Sequence, residues 1–99
     1  MKLPVPLSFD WDQGNKEKNW VKHQVYFREA EEIFQDESIV ILKDPKHSRT
    51  EKRYVSYGVS KKRRKLTVIF TLRTGLIIII SARNQNKKER NVYVKNKTK

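Results

Sequence analysis

The segment that decides the fold runs from Leu66 to Arg83 and has the sequence LTVIFTLRTGLIIIISAR. Two stretches rich in β-branched and apolar residues flank Arg73-Thr74-Gly75, which is typical of two strands joined by a short loop. Glycine provides the left-handed backbone conformation that a three-residue hairpin loop needs. The sequence therefore predicts an antiparallel hairpin in which Leu72 lies opposite Leu76.

The alternation of side chains along a strand assigns the two faces of this hairpin. On this register the outer face presents Thr67, Ser81 and Arg83 together near one end, where a polar ligand can be held. A two-residue loop would move Thr67 away from Arg83, so the cluster depends on the longer loop. The opposite face is the predicted core, and it carries Leu66, Val68, Phe70, Leu72, Leu76, Ile78, Ile80 and Ala82.

Two further strands are predicted upstream of the hairpin. The segment Tyr54–Val59 alternates and is rich in β-branched and aromatic residues, so it should pair antiparallel with the hairpin across a basic turn at Ser60–Lys65. A shorter apolar strand, Ile39–Leu42, ends at Asp44-Pro45 because proline cannot continue a ladder of hydrogen bonds. A polar loop from Lys46 to Glu51 joins these two strands.

Helical patterns precede the strands. The tetrapeptide Phe9-Asp10-Trp11-Asp12 is typical of a helix start, since an aspartate there accepts free amide hydrogens. That helix is expected to end near Lys22-His23. A second helix, ending near Asp36, is predicted from the apolar spacings of three and four at Phe27, Ala30 and Phe34.

The C-terminal stretch Asn86–Val94 predicts a polar helix, and a lysine-rich tail follows from about residue 95. The predicted order is two N-terminal helices, an antiparallel sheet of three to four strands and a C-terminal helix, which makes an α+β domain. With 99 residues, the chain has room for a single domain over residues 1–99, with a thin core and no deep cavity.

Composition excludes several classes of protein. The chain has no cysteine, so disulfides, thiolate metal sites and thiol nucleophiles are excluded, and only His23 and His47 are good neutral ligands for zinc. We therefore expect no metal and no cofactor. Prolines interrupt the N-terminal segment, and the apolar run Leu76–Ile80 is far shorter than the roughly 20 residues of a membrane helix. A cytoplasmic protein with no membrane partner is expected.

The charge balance indicates a polyanionic partner. The chain has 23 lysines and arginines against 11 aspartates and glutamates, which gives a formal net charge of +12. Such a surplus on a small body attracts nucleic acid, an anionic membrane or an acidic protein. Charge alone does not choose among these three.

Several residues have side chains suited to catalysis or phosphate binding, and each can also be explained by a purely structural role. Lys22 can hold a phosphate and His23 can give or take a proton, but a lone histidine is more often a surface or capping residue. Three arginines lie at predicted strand ends, where their guanidinium groups either bind phosphate or are merely solvated: Arg53, Arg73 and Arg83.

Charged residues and a histidine in the predicted loops also have either a functional or a structural interpretation. Glu51 comes two residues before Arg53 and projects to the same side of an extended chain, so it is either a base or the partner of that arginine. His47 is a second possible proton carrier. The run Lys61–Lys65 is either a solvated hairpin tip or an RNA contact.

Four motifs resemble those of the BrnT family: Phe9-x-Trp11-Asp12, Asn19-x-x-Lys22-His23, the loop from Asp44 to Arg53, and Ile79-Ile80-Ser81-Ala82-Arg83. The resemblance covers about Phe9 to Tyr93. BrnT proteins are ribonuclease toxins of bacterial type II toxin–antitoxin pairs. The resemblance implies a RelE-like fold, RNA cleavage without a metal or cofactor, and neutralisation by a BrnA-like antitoxin whose ribbon-helix-helix part binds operator DNA.

The resemblance also implies an active site, and its catalytic positions in this sequence are Lys22, His23, Glu51, Arg53 and Arg83. Proton carriers and cations of this kind can deprotonate a 2′-hydroxyl and stabilise a pentavalent phosphate. Further RNA contacts are predicted at Lys65, Thr67, Arg73 and Ser81. The alternative function is a non-catalytic basic RNA-binding domain, in which the same face binds phosphates without cleaving RNA.

Overall fold

A computed structural model of the chain describes residues 2–11, 13–47 and 50–97. Three α-helices and one five-stranded sheet make up the regular structure of these residues, and short 3-10 turns follow the second helix and the second strand. In chain order the elements are β1 (Phe9–Asp10), α1 (Gln13–His23), α2 (Phe27–Glu32), β2 (Val40–Lys43), β3 (Arg53–Val59), β4 (Lys65–Arg73), β5 (Leu76–Asn84) and α3 (Lys87–Lys97).

The sheet has the strand order β1-β5-β4-β3-β2. Strands β2 to β5 form antiparallel pairs, as predicted, whereas β1 runs parallel to β5 with Phe9 opposite Ile77. The α+β class and the three helices are confirmed, but the sheet is mixed and has five strands instead of three to four. The added strand comes from Phe9-Asp10, predicted as part of a helix start, while Asp12 lies outside the described residues.

The core lies between the sheet and α2. Helix α2 ends at Glu32 and continues as a 3-10 turn over Ile33–Gln35, so the predicted helix to Asp36 changes its type in the last turn. Gly58 on β3 lets this turn approach closely, because a Cβ there would lie 2.8 Å from the Cβ of Ile33. The buried residues that meet at this interface include Ala30, Ile33, Phe34, Leu66, Val68, Phe70, Ile77 and Ile79.

The loop of the central hairpin has two residues, so the predicted three-residue loop is wrong. Arg73 lies opposite Leu76, and both Thr74 and Gly75 have positive φ values, 45° and 79°. Two-residue hairpin turns of this kind match the right-handed twist of the flanking strands, which makes them the favoured connection.

A β-bulge then changes the alternation of β5. Phe70 lies opposite Ile79, but the preceding residue of β4, Ile69, lies opposite Ser81, so Ile80 has no partner. The core face of β5 is consequently formed by Ile77, Ile79 and Ala82, not by the predicted Leu76, Ile78 and Ile80, which are half-buried. On β4 the predicted core residues Leu66, Val68 and Phe70 are buried and Leu72 is partly buried.

The same bulge keeps the predicted polar cluster together. Beyond Ile80 the register places Thr67 opposite Arg83, although the loop has only two residues. A bulge bends a strand and re-aims its side chains, which a regular two-residue hairpin would not do here. Next to the bulge, the Ala82 N–H donates a hydrogen bond to Asn19 Oδ1 of α1 (3.1 Å), so α1 covers the free edge of β5 beyond β1.

Helix α3 begins with a reciprocal pair of hydrogen bonds. The Glu89 N–H donates to Asn86 Oδ1 and the Asn86 N–H donates to Glu89 Oε1, both at 2.9 Å, in the manner of a capping box. Lys95 and Lys97 belong to this helix, so the tail predicted from residue 95 is helical as far as it is described. Within the described ranges no helix is long and apolar enough to cross a membrane.

Candidate active site

The predicted site residues lie in two groups on the sheet face opposite to α2. Tyr54, Ser56 and Gly58 of β3 point to the core, so the alternating residues Arg53 and Tyr57 point to the other side, called the outer face here. The Arg83 site consists of His23, Tyr57, Thr67, Arg83 and Glu89. The Glu51 site consists of Glu51, Arg53 and Arg73.

The Arg83 site is built around Glu89. Its two carboxylate oxygens accept hydrogen bonds from Arg83 Nη1 and Nη2 at 2.7 and 2.8 Å, and Thr67 Oγ1 donates a third at 2.9 Å. The Glu89 side chain is only 10% exposed. Burial alone would raise the pKa of Glu89, but the hydrogen bonds from Arg83, Asn86 and Thr67 outweigh it and lower the pKa. Glu89 is therefore ionised at neutral pH and fixes the guanidinium group.

Arg83 keeps one edge of its guanidinium group available. Three of its five N–H groups donate to the two Glu89 oxygens and to the Asn84 carbonyl, which is 3.2 Å from Nη1. The Nε–H and one Nη2–H have no acceptor among the residues that the structure describes. These two N–H groups point from the same edge, so Arg83 can bind a phosphate in a bidentate manner while Glu89 holds it.

His23 is the last residue of α1 and stands beside this arginine. Partial burial and the positive charges of Lys22, Arg83 and Lys18 lower the pKa of His23 from its ordinary value of 6.5. Within the described ranges its ring makes no hydrogen bond. The imidazole is therefore neutral at pH 7 and able to accept a proton, while the exposed Lys22 ammonium next to it adds positive charge.

Arg64 positions the end of α1, a role that the sequence did not indicate. Its guanidinium donates to the carbonyl oxygens of Gln24 (2.7 Å) and His23 (3.1 Å), to Asn84 Oδ1 (2.8 Å) and to Glu29 Oε1 (3.2 Å). The last carbonyls of a helix lack partners within the helix and attract cations. Arg64 belongs to the basic run predicted as a solvated tip or an RNA contact, but it instead ties α1 to α2 and β5.

Tyr57 also escaped the sequence analysis. It lies on β3 directly opposite Thr67 and is half-buried. Burial and the negative charge of Glu89 raise the pKa of Tyr57, and Arg83 partly opposes them, so the phenol keeps its proton at neutral pH. The signal was available, because alternation from Arg53 and antiparallel pairing with β4 place Tyr57 beside Thr67 on the outer face.

The Glu51 site is more exposed than the Arg83 site. Arg73 Nε and Nη2 donate to the two carboxylate oxygens of Glu51 at 2.9 and 2.7 Å. The partner of Glu51 is thus Arg73, not Arg53 as the sequence suggested. The hydrogen bond from Arg73 and the charges of Arg73 and Arg53 lower the pKa of Glu51. Arg53 lies opposite Thr71, in the same part of the sheet.

The structure does not bring the two sites into contact. Arg53 is aligned with Thr71 and Tyr57 with Thr67, four residues apart along β4, which corresponds to about 13 Å. The backbone positions of the two sites are therefore separated along the sheet, and an extended RNA strand on the outer face can touch both.

The remaining predicted contacts differ in their accessibility. Lys65 is exposed at the start of β4 and Ser81 is half-buried on β5. Thr67 is buried and its hydroxyl donates to Glu89, so it supports Glu89 and offers RNA no donor. His47 contacts Asp44, with its Nδ1 3.0 Å from Asp44 Oδ2. In the described part of the chain no three histidine or acidic side chains form a group that could hold a metal ion.

Comparisons with known proteins point to one family. Residues 11–89 match the family model described as the ribonuclease toxin, BrnT, of type II toxin-antitoxin systems. The chain is also similar in structure to the Brucella abortus ribonuclease toxin BrnT, whose crystal structure has a resolution of 1.1 Å. The TM-score is 0.62 at 20% sequence identity, over 82% of this chain and 99% of that one, so the two share a fold. No curated protein matches the sequence significantly.

Proposed function

The chain belongs to the BrnT family of ribonuclease toxins of type II toxin–antitoxin systems, and we propose that it is an endoribonuclease that cleaves RNA without a metal ion or cofactor. It acts in the cytoplasm. A BrnA-like antitoxin neutralises it, and the complex binds operator DNA through the ribbon-helix-helix part of that antitoxin.

The observation that carries the proposal is the edge of the Arg83 guanidinium that stays available while Glu89 holds the group, with His23 near enough for the charge of Arg83 to lower its pKa. In metal-independent cleavage the 2′-oxygen loses its proton, attacks the adjacent phosphorus and displaces the 5′-oxygen. His23 takes that proton. The available edge of Arg83 binds the phosphate oxygens, whose negative charge grows in the pentavalent transition state.

The leaving 5′-oxygen needs a proton of its own. The Tyr57 hydroxyl can supply it, because burial and Glu89 raise the pKa of Tyr57 and the phenol keeps its proton at neutral pH. Lys22, next to His23 on α1, is the second candidate. General acid–base catalysis contributes about 10²–10⁴-fold to a rate and one preorganised donor about 10²–10³-fold, which is sufficient for a slow toxin.

The Glu51 site serves to bind the flanking strand. Along β4, Arg53 lies about 13 Å and Arg73 about 20 Å from the Arg83 site, and both have the charge to hold neighbouring phosphates. Lys65 and Ser81 extend the same outer face. Glu51 is ionised and bound to Arg73, so in this proposal its contribution is to orient that arginine.

A cleavage assay with two histidine variants tests the proposal. The purified protein should cleave RNA in EDTA and leave a 2′,3′-cyclic phosphate, and His23→Ala should lose about 10²-fold or more of this activity. His47→Ala is the matched comparison, because His47 is the other histidine but borders Glu51 and Arg53 instead of the Arg83 site, so its loss should affect RNA binding more than the rate of cleavage. Recovery of cleavage only on adding metal would refute the mechanism. Salt-sensitive RNA binding without cleavage would support the non-catalytic alternative.

A further inference from the structure

The apolar residues of helix α1 face the solvent instead of the core, which is unusual for a helix of an isolated domain. Trp20 is 52% exposed and Val21 75% exposed, whereas the polar Asn19 between α1 and β5 is 2% exposed. An amphipathic surface helix normally turns its apolar stripe toward the core. Exposed apolar groups of this size, rimmed by polar residues, mark binding surfaces.

Tyr26 and Phe27 extend this exposed region beyond the end of α1. Tyr26 is 53% exposed, and its ring is 4.8 Å from that of Phe27. We name the region formed by Trp20, Tyr26 and Phe27, together with the exposed Val21 that follows Trp20 on α1, the aromatic surface. Trp20 and Tyr26 separate two grooves of about 410 and 590 Å³, the first of which is bounded by Phe27 and Lys16. The surface is therefore concave and can receive protruding side chains.

The charged side chains that border the two grooves are three basic and two acidic ones: Lys16, Lys62 and Arg64 against Glu17 and Glu29. Lys16 Nζ lies 4.3 Å from the centre of the Phe27 ring, and Lys62 and Arg64 border the second groove. Glu29 and Arg64 in that groove form an ion pair and compensate each other, so Lys16 and Lys62 against Glu17 leave the rim with a net positive charge. The charge complement of this rim is an acidic partner.

The aromatic surface adjoins the Arg83 site. Trp20 and His23 are three residues apart on α1, so their side chains are neighbours on one side of the helix. Arg64, which borders the second groove, also binds the carbonyl oxygens of His23 and Gln24. A partner that covers the aromatic surface therefore stands at the entrance to the site.

We propose that the aromatic surface binds an acidic segment of the antitoxin, with apolar side chains of that segment inserted in the grooves beside Trp20 and Tyr26. The inference rests on the proposed function for the existence of this partner. A protein segment fits better than RNA, because Val21 offers no ring for a base to stack on and Phe27 covers part of the Tyr26 ring. Bound there, the antitoxin blocks access to His23.

Neutral polar substitutions test this assignment. The variant Trp20→Gln/Val21→Gln removes the apolar groups of α1 without changing charge, and Val94→Gln on α3 is the matched control, since Val94 is 48% exposed. The probe is the purified protein encoded in the reading frame beside the toxin gene, titrated calorimetrically. We expect the double variant to bind roughly 30-fold more weakly or worse, as for a tryptophan hot spot, and the control to bind normally.

A second pair of variants tests the charge of the rim. Lys62→Glu, at the edge of the second groove, should slow association with the same probe at low salt, whereas Lys87→Glu at the start of α3 should have a smaller effect. Equal effects of the two substitutions would show that only the net charge matters and would contradict a local docking site.

Three outcomes of these measurements bear on the proposed docking of the antitoxin on the aromatic surface. Unchanged binding by Trp20→Gln/Val21→Gln overturns the proposal. Normal antitoxin binding together with a loss of RNA affinity assigns the aromatic surface to RNA and also overturns it. If the unmodified protein fails to cleave RNA yet binds the probe, the proposed mechanism fails, but the comparison of the variants still tests the docking surface.

Discussion

Arg83→Ala separates the catalytic role of Arg83 from its structural role. From the sequence alone, Arg83 is an arginine at a strand end that binds phosphate or is solvated, and neither role predicts a large loss of stability on its removal. In the structure the substitution removes both hydrogen bonds to Glu89, whose side chain is 10% exposed, and leaves it with donors from Thr67 and Asn86 only. An under-satisfied, partly buried charge of this kind costs about 1–3 kcal/mol.

The expected loss of stability is measurable but does not unfold the protein. A domain of this size has a free energy of unfolding of about 5–15 kcal/mol, and each kcal/mol corresponds to roughly 4–8 °C in Tm. The expected loss of activity is larger in proportion, because removing one preorganised donor costs about 10²–10³-fold in kcat. Thermal unfolding and cleavage of a short RNA at 25 °C measure the two quantities on the same sample.

The double variant Arg83→Ala/Glu89→Gln distinguishes the two effects. Glutamine keeps an acceptor for Thr67 and Asn86 but carries no charge, so it should restore much of the Tm lost in Arg83→Ala and none of the cleavage. Arg83→Lys should retain part of the activity, because an ammonium keeps the charge without the planar edge. If restoring stability also restores cleavage, Arg83 acts only on the fold and our reasoning about the phosphate is refuted.

The pH dependence of unfolding gives an independent check on the same pair. The pKa of Glu89 in the folded protein lies below its ordinary value of 4.5. The stabilisation that Glu89 provides is therefore fully present above pH 4.5 and is lost as the pH falls through the folded-state pKa. In Arg83→Ala the pKa of Glu89 in the folded protein should be less depressed, so this loss should be smaller and should be complete at a higher pH.

Two further predictions concern His23 and Arg64. The rate of cleavage should be constant near pH 7 and should fall as the pH drops through the pKa of His23, which is lowered below 6.5. The reason is that the protonated ring cannot accept the 2′-proton. A pH–rate profile without this fall would argue for another base. Arg64→Ala should reduce kcat about tenfold or more, because the end of α1 loses the guanidinium that binds its carbonyl oxygens. Lys62→Ala is the control. An unchanged kcat together with normal hydrogen exchange at the Gln24 amide would contradict this role of Arg64.

Most elements were predictable because they depend on local patterns. The apolar spacing at Phe27, Ala30 and Phe34 and the alternation of Tyr54–Val59 both led to the observed elements. The strand at Phe9-Asp10 was not predictable in this way, since two residues carry no periodicity and their pairing depends on the distant edge of β5. The core face of β5 was missed because five consecutive apolar residues, Leu76–Ile80, contain no sign of a bulge.

Prediction of the candidate site was limited by contacts between distant segments. Alternation placed Arg83 on the outer face. His23 was a candidate from its imidazole alone, and the resemblance to BrnT then favoured a catalytic role over a surface or capping one. The sequence did not show that Glu51 would choose Arg73 over Arg53, because this depends on where the loop returns to the sheet. Arg64 was hidden within a run of basic residues, where composition does not reveal which member turns inward.

Ile80 is an extra residue of the hairpin with no partner on β4, so the sequence can be one residue shorter at this position without moving the residues of the Arg83 site. Deleting it would leave Ile79 opposite Phe70 and bring the serine, alanine and arginine that follow to the same partners without a bulge. Adding a residue there would instead reverse the alternation and turn the arginine toward the core. Relatives that keep this site can therefore have a one-residue gap at Ile80, and an alignment that closes this gap elsewhere will mispair the residues of the site.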